Sequence, residues 1–167
     1  MSTKIYYNDR QIRTWIHKII REINQDSWRP DYIVGITRGG LIPANLLSQY
    51  TGVKMHTLSV SLRDNKDTES NLWMAGDAIG VVPTERSAEF GGHKHVEKLK
   101  KKILIVDDIN DQGSTINWIK KDWPSGCFPD SEEWKYVWGD NVRFAVLTHN
   151  LSSQFKDPDY YVWTVNK

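Results

Sequence analysis

The chain has 167 residues, a length that fits one compact domain with a buried core. Hydrophobic residues make up 39% and charged residues 26%, and the net charge of +1 provides no overall attraction to nucleic acid or to a membrane surface. A single cysteine excludes an internal disulfide and suits a reducing compartment. The sequence shows neither an apolar signal segment nor a run long enough for a membrane span. We therefore expect a cytoplasmic protein whose partners are small molecules, with no nucleic acid and no membrane among them.

The first half of the chain alternates between helical and strand patterns. Apolar residues recur at helical spacing from Asn8 to about Asp26, and Pro30 ends that pattern. The next predicted elements, in chain order, are a buried strand at 32–36, a helix at 41–50 and a second strand at 54–62. The stretch 63–95 has little periodicity apart from a short helix around 71–79. A long irregular stretch inside a compact domain is typical of a functional loop.

The second half contains the clearest strand of the chain, at 103–106. After it the sequence predicts a helix at 116–123, a short helix at 131–138, and strands at 143–148 and 160–165. Strands that alternate with helices indicate an α/β fold, with a mostly parallel sheet flanked by helices in a single domain over 1–167. Ligands bind at the carboxyl ends of such strands, where 37–40 and 107–115 are expected to lie.

The segment 107–115 offers two kinds of binding group side by side. Asp107 and Asp108 follow the apolar strand, and two adjacent carboxylates repel each other unless a cation or sugar hydroxyls accompany them. A third acid, Asp111, precedes small and hydroxyl residues that lead into a helix. The free N–H groups at a helix start bind phosphate. A ribose next to a phosphate would satisfy both halves of the segment.

The run 103–115 matches the whole PRPP-binding signature of the type I phosphoribosyltransferases: an apolar strand, two acids, an apolar residue, any residue, an Asp or Thr, and a small turn. It most resembles the xanthine-guanine and hypoxanthine-guanine branch, in which the position of Asp111 is also an aspartate. The resemblance covers about 32–165, with 61–95 and 124–141 poorly matched. It implies the type I fold with a small hood and a mobile loop at 61–95. The implied reaction is transfer of a 5-phosphoribosyl group from PRPP to guanine, xanthine or hypoxanthine in purine salvage.

The resemblance also implies roles for individual residues. Asp107 and Asp108 would hold the ribose, with Asp108 beside a bound Mg²⁺, and Asp111 would be the catalytic acid and base near purine N7. Arg38 and Gly39, which follow the first strand, would bind pyrophosphate. The turn around the 5-phosphate would be formed by Asp111, Gln112, Gly113, Ser114 and Thr115. A homodimer or a higher homo-oligomer is expected on the same basis.

The base-binding side departs from the family pattern. His149 stands where the purine enzymes carry a lysine, and it is either a donor to a 6-oxo group or a surface histidine at a strand end. The family places an aromatic residue over the base shortly after the last strand, but the sequence stops at Lys167. Trp163 is the candidate for that role, with a position in the core or on a strand face as the alternative.

Two other functions remain open at this point. One is a regulatory protein on the same fold that senses PRPP or a nucleotide, and the other is a pyrimidine or orotate phosphoribosyltransferase. Asp111 and the near-zero net charge favour a purine enzyme over a regulator with a basic nucleic-acid face. The sequence contains neither a P-loop nor a Gly-x-Gly-x-x-Gly fingerprint, which argues against other common nucleotide-binding modules.

Overall fold

The computed structural model describes residues 6–62, 68, 70–82 and 96–167. Its centre is a five-stranded sheet in which every neighbouring pair of strands is parallel. The strands are β1 (Tyr32–Thr37), β2 (Lys54–Ser59), β3 (Val81–Val82), β4 (Val96–Glu97), β5 (Ile103–Asn110), β6 (Val142–Asn150) and β7 (Tyr160–Val165). The sheet has the order β2-β1-β5-β6-β7, and β3 pairs with β4 in a separate antiparallel ribbon.

In the part of the chain that the structure describes, four α-helices and one 3₁₀-helix accompany the strands. They are α1 (Asp9–Gln25), α2 (Leu41–Thr51), α3 (Leu72–Ile79), α4 (Ser114–Gly126) and the 3₁₀-helix Glu132–Tyr136. Helix α1 begins with a capping box, in which the side chains of Asn8 and Gln11 each accept the other's backbone N–H at 2.9 Å. Among the described residues no helix has the length and apolarity needed to cross a membrane.

The sheet is covered on both faces because successive strand residues point to opposite sides. Ile33 and Leu104 belong to a core cluster with residues of α1 and α2, whereas Val34 and Ile105 belong to a cluster with residues of α3 and α4. The predicted α/β fold, with a parallel sheet between helical layers, is therefore confirmed.

The most useful difference from the sequence prediction lies in β5. The predicted strand ends at 106, but the strand continues to Asn110 because Asp107, Ile109 and Asn110 still pair with β6. The acids therefore lie on a paired strand end and not in a loop. The helix predicted at 131–138 is a short 3₁₀-helix. Within the predicted loop, 63–67, 69 and 83–95 lie outside the described residues, so the mobile loop and the hood stay predictions.

The strand order places a binding crevice between β1 and β5. From β1 the chain crosses to β2 on one side, and β5 later pairs with β1 on the other side. At such a switch point the connections that leave the two strand ends diverge, which opens a cleft beyond the carboxyl edge of the sheet. The residues that follow β1 and those at the end of β5 face this cleft.

Candidate active site

A cleft of about 980 Å³ lies at the carboxyl edge of the sheet. It is lined by 37–39 and Leu41 at and after the end of β1, by 59–62 at and after the end of β2, and by 107–116 from β5 into α4. The structure thus brings together the acid pair, the predicted phosphate turn and the predicted pyrophosphate pair. A cavity of this size accommodates a sugar phosphate of the PRPP class.

The two adjacent acids have different surroundings. Asp107 is partly buried and its Oδ1 accepts from the backbone N–H of Asp108 at 2.9 Å, while Asp108 is exposed. Burial, followed by the negative charge of Asp108, raises the pKa of Asp107 to about 8. The ligand-free site therefore carries a proton near neutral pH, and a cation or hydrogen-bond donors from a ligand would favour its release.

Gly39 lies directly against the acid pair. A Cβ atom at this position would stand 2.5 Å from Cγ of Asp108, so only glycine allows the backbone to approach the carboxylate this closely. Arg38, next to it, is exposed and lines the cleft. The predicted pyrophosphate pair and the predicted magnesium ligand are thus within reach of one ligand.

The phosphate turn ends at Gly113, which adopts φ +82° and immediately precedes the first residue of α4. Because glycine has no side chain to cap the helix, the N–H groups of its first turn remain open to an anion. A Cβ atom on Gly113 would lie 2.6 Å from the backbone nitrogen of Phe155 and 2.8 Å from Oγ of Ser153. The turn is therefore packed tightly against the segment between β6 and β7.

Asp111 is held by a residue that the sequence analysis did not single out. Asn150, at the end of β6, donates from Nδ2 to the backbone oxygen and to Oδ1 of Asp111, each at 3.1 Å. The Nζ atom of Lys167 lies 3.8 Å from the same Oδ1. Asn150 lies two residues after the predicted strand 143–148. Its position as a polar residue at a strand end was the signal by which the sequence could have indicated a site residue.

His149 is buried and lines neither of the two cavities at this edge. Asn110 Nδ2 donates to the carbonyl of Phe155 at 2.8 Å and lies 3.0 Å from His149 Nδ1. Because that amide nitrogen can only donate, Nδ1 accepts and Nε2 is the nitrogen that carries hydrogen. The structure thus places His149 in a polar network beneath the site, and a direct contact with the base stays a prediction.

A second cavity of about 510 Å³ adjoins the cleft. Arg38, Gly39, Asp108 and Ile109 line both, so the two spaces are continuous along the acid pair. The other lining residues come from α1 and the segment before it, α2, β6, β7 and the residues after β7: Tyr7, Ile12, Trp15, Ile42, Pro43, Leu147, Thr148, Val165 and Lys167.

Trp163 contacts residues that line the second cavity but does not line the cavity itself. Its ring stacks on Trp15 at 6.2 Å, and its Nε1 donates to Oγ1 of Thr148 at 2.7 Å. Helical periodicity assigns Trp15 only to the apolar face of α1, and the sequence offered no signal that Tyr7 and Trp15 would reach the site. Their placement follows from the packing of α1 beside β7.

The comparison with known families agrees with the family that the sequence signature at 103–115 indicates. A sequence model of the phosphoribosyl transferase domain matches residues 2–167. The chain belongs to this family. Membership agrees with the signature at 103–115, which the structure places on β5 and the turn into α4.

Curated relatives of this chain are named as phosphoribosyltransferases of purine bases. The chain is 32% identical over 102 residues to a xanthine-guanine phosphoribosyltransferase of Cereibacter sphaeroides, an alignment that covers 61% of this chain and 52% of that protein. It is 26% identical over 123 residues to xanthine phosphoribosyltransferase 1 of Saccharomyces cerevisiae, with 69% and 57% covered. The chain thus spans little more than half the length of these relatives.

Solved structures of the same family share the fold. A purine phosphoribosyltransferase from Pyrococcus horikoshii superposes with a TM-score of 0.59 at 24% identity, covering 99% of this chain and 90% of that one. A xanthine-guanine-hypoxanthine phosphoribosyltransferase from Helicobacter pylori gives a TM-score of 0.61 at 19% identity, with 95% and 84% covered. The five-stranded parallel sheet between helices is therefore the type I phosphoribosyltransferase fold.

Proposed function

We propose that the protein transfers the 5-phosphoribosyl group of PRPP to a 6-oxopurine, namely guanine, xanthine or hypoxanthine, as a pentosyltransferase of purine salvage. The observation that carries this proposal is the convergence of three groups in one cleft: the acid pair of β5, the anion-binding turn at the start of α4, and Arg38 with Gly39. The names of the curated relatives support a purine as the acceptor.

The acid pair suits a magnesium ion that is shared with the substrate. Magnesium is usually bound through one or two carboxylates together with substrate phosphates. Among the described residues no group of three or more His, Cys, Asp or Glu side chains could hold a metal by itself. Asp108, exposed beside Gly39, would hold the ion with Asp107 next to it. The bound ion would offset negative charge on the pyrophosphate.

Different residues of the cleft would bind different parts of the substrate. The turn 111–115 would hold the 5-phosphate, and the carboxylates of Asp107 and Asp108 would accept hydrogen bonds from the ribose hydroxyls. Arg38 and the backbone at Gly39 would bind the pyrophosphate and stabilise it as it leaves. The negative charge of the acid pair would favour the positive charge that develops on the ribose ring.

Asp111 would handle the proton of the base. In the transfer, a purine ring nitrogen forms a bond to C1 of the ribose while the bond from C1 to the pyrophosphate oxygen breaks. Asp111 would accept the proton that the purine releases at N7, and Asn150 would keep its carboxylate in position. Pyrophosphate and the nucleoside monophosphate are the products.

We also propose that 1–167 works as one catalytic domain, in the cytoplasm, and as a homodimer or a higher homo-oligomer. The oligomeric state rests on the family resemblance, the single domain on the chain length, and the cytoplasm on a composition that suits a reducing compartment. Light scattering on the purified protein would measure the oligomeric state.

The proposed function is tested with purified protein, PRPP, Mg²⁺ and a panel of guanine, xanthine, hypoxanthine, adenine, orotate and uracil. We expect pyrophosphate release and nucleoside monophosphate formation with one or more of the 6-oxopurines. Turnover with orotate or uracil alone would instead indicate a pyrimidine enzyme. Calorimetric binding of PRPP without turnover on any base would indicate a sensing protein. If the protein bound neither PRPP nor a nucleoside monophosphate in the presence of Mg²⁺, the assignment would be wrong.

A further inference from the structure

A cavity of about 700 Å³ lies at the amino edge of the sheet, opposite the cleft that holds the acid pair. It is built around the starts of three strands, because Tyr32 begins β1, Lys54 begins β2 and Lys101 precedes β5. Tyr32 and Lys54 are paired residues of the two neighbouring strands. No lining residue is common to this cavity and the cleft, so the two are separate spaces.

Three exposed cationic side chains from three stretches of the chain line the amino-edge cavity: Arg29, Lys54 and Lys101. Arg29 donates to the backbone oxygen of Thr51 at 3.1 Å, and a guanidinium has further N–H donors. The Nζ atom of Lys101 lies 3.8 Å from Oδ2 of Asp77. Within the part of the chain that the structure describes, no carboxylate pairs with Arg29 or Lys54. Their donors are therefore available to an anion.

The two acids that line the cavity are already engaged. Asp77 is buried, pairs with Lys98 and accepts from the hydroxyl of Tyr32 at 2.9 Å. Asp31 accepts from the backbone N–H of Lys102 at 2.7 Å. Because Lys98 offsets the charge of Asp77, the side chains around the cavity leave an excess of positive charge, which attracts anions.

An aromatic cluster forms another side of the cavity. The ring centroids of Tyr32 and His56 lie 5.2 Å apart, those of Tyr32 and Trp73 lie 5.6 Å apart, and those of His56 and Trp73 lie 5.1 Å apart. Tyr32 is buried and held by its bond to Asp77, whereas Trp73 is 47% exposed. A tryptophan ring that is fixed by its neighbours and open to solvent offers a stacking surface to a flat heterocycle.

Cationic donors beside an open aromatic ring match the two halves of a nucleotide. The phosphates would bind the three cations, and the base would stack on Trp73. Three cations suit a chain of two or three phosphates better than a single phosphate. The volume of about 700 Å³ also leaves room for the sugar and the base. An inorganic polyphosphate would use the cations alone and leave the aromatic ring without a partner.

We propose that the protein has a second nucleotide site at the amino edge of its sheet, where a nucleoside di- or triphosphate binds to the three cations and stacks on Trp73. This site goes beyond the proposed transfer reaction. Neither the site nor the reaction depends on the other, because they use different residues at opposite edges of the sheet.

The test measures two ligands by calorimetry: ATP in EDTA, and PRPP with Mg²⁺. In Lys54→Met and in Lys101→Met we expect the Kd for ATP to rise about tenfold, as loss of one charge-assisted hydrogen bond predicts, while the Kd for PRPP stays within about twofold. Lys102→Met is the matched control, because Lys102 is exposed and follows Lys101 but does not line the cavity. Arg38→Met, in the cleft, should show the opposite pattern.

The stacking contact is tested with ATP and inorganic tripolyphosphate, which lacks the base. In Trp73→Leu the Kd for ATP should rise about tenfold, whereas the Kd for tripolyphosphate should stay within about twofold. Tyr136→Leu is the control for loss of an exposed aromatic ring, since Tyr136 does not line the cavity. Unchanged ATP affinity in Trp73→Leu would show that the cavity recognises no base and would overturn the nucleotide assignment.

Three further outcomes separate this site from the transfer reaction. A wild-type protein that bound PRPP but not ATP would overturn the second site and leave the proposed function standing. ATP affinity lost in Arg38→Met but kept in both lysine variants would place ATP in the cleft and overturn the second site as well. ATP binding with the expected pattern, but no PRPP binding, would overturn the proposed function alone. A cooperative thermal melt of each variant would establish that it folds.

Discussion

The amide of Asn150 fixes the carboxylate of Asp111 by donating to its Oδ1 and to its backbone oxygen, both at 3.1 Å. The amide itself is held from the other side, because Oδ1 of Asn150 accepts from the backbone nitrogens of Ser152 at 3.1 Å and Lys167 at 3.3 Å. An amide with both ends engaged cannot rotate without losing bonds. Asn150 is therefore a positioning residue for the proposed acid and base group.

Asn150→Ala should lower kcat by about tenfold or more, because a catalytic group displaced by about 1 Å can cost a factor of about 100. The Kd for PRPP should change less than about threefold, which calorimetry would measure. Asn166→Ala is the matched control, since its exposed side chain accepts a hydrogen bond from Ser152 Oγ at 2.9 Å. Wild-type kcat in Asn150→Ala would contradict the positioning role.

Asp111→Asn should lower turnover by a factor of about 100 to 10,000, the usual contribution of a general acid or base. The amide keeps the size of the side chain but cannot accept the purine proton. PRPP affinity should fall far less than turnover, so single-turnover kinetics and calorimetry together separate the two effects. Full turnover in this variant would show that another group takes the proton.

Gly39→Ala should weaken Mg²⁺-dependent PRPP binding by tenfold or more with little loss of stability. The new Cβ would meet the carboxyl group of Asp108 at 2.5–2.6 Å, and a side chain can rotate away where a backbone could not. Gly52→Ala is the control, because its Cβ would meet nothing within 4 Å. With φ +72°, that variant should lose about 1 kcal/mol of stability and keep PRPP affinity. Equal PRPP affinity in both variants would argue against a ligand at Asp108.

The stability of the ligand-free protein should fall as pH rises from about 5 to about 8. The pKa of Asp107 is raised to about 8 in the folded chain, whereas an unfolded aspartate titrates near ~4. Between these values the folded state binds a proton that the unfolded state has released, so each step up in pH favours unfolding. Asp107→Asn should remove this contribution. Since one pH unit corresponds to about 1.4 kcal/mol, the free energy of unfolding of wild type relative to the variant should drop by about 4 kcal/mol over the window.

Urea denaturation in EDTA at several pH values would measure this difference. Burial also raises the pKa of Asp159, and that contribution is present in both proteins and cancels in the comparison. Parallel pH profiles for wild type and variant would contradict the protonated state of Asp107.

Asp77→Asn should cost about 3 kcal/mol of stability. The buried carboxylate pairs with Lys98 and accepts from the hydroxyl of Tyr32 at 2.9 Å, so the change leaves a lysine without its partner. Asp9→Asn removes an exposed pair with Arg13 and should cost less than about 1 kcal/mol. Urea denaturation at pH 7 would measure both. If both variants lost similarly small amounts of the free energy of unfolding, the contacts of Asp77 with Lys98 and Tyr32 would contribute little to stability.

Most of the sheet could be predicted from the sequence because buried parallel strands are short apolar runs, as 32–36 and 103–106 show. The acid pair and the phosphate turn could be predicted because they lie within one contiguous signature. The role of Asn150 was missed although a polar residue at a strand end was an available signal. Tyr7 and Trp15 carried no signal, since they reach the site only when α1 packs beside β7, and no local pattern encodes that packing. The continuation of β5 to Asn110 was missed because polar residues at a strand end resemble the start of a loop.

One run of ten residues, 107–116, contributes both the carboxylates and the phosphate turn, whereas the neighbouring cavity is assembled from five separate stretches of the chain. Substitutions near Tyr7, in α1 or after β7 can therefore reshape the cavity while the sugar-phosphate contacts keep their geometry. A change of acceptor during evolution would require no alteration of the residues that hold the donor.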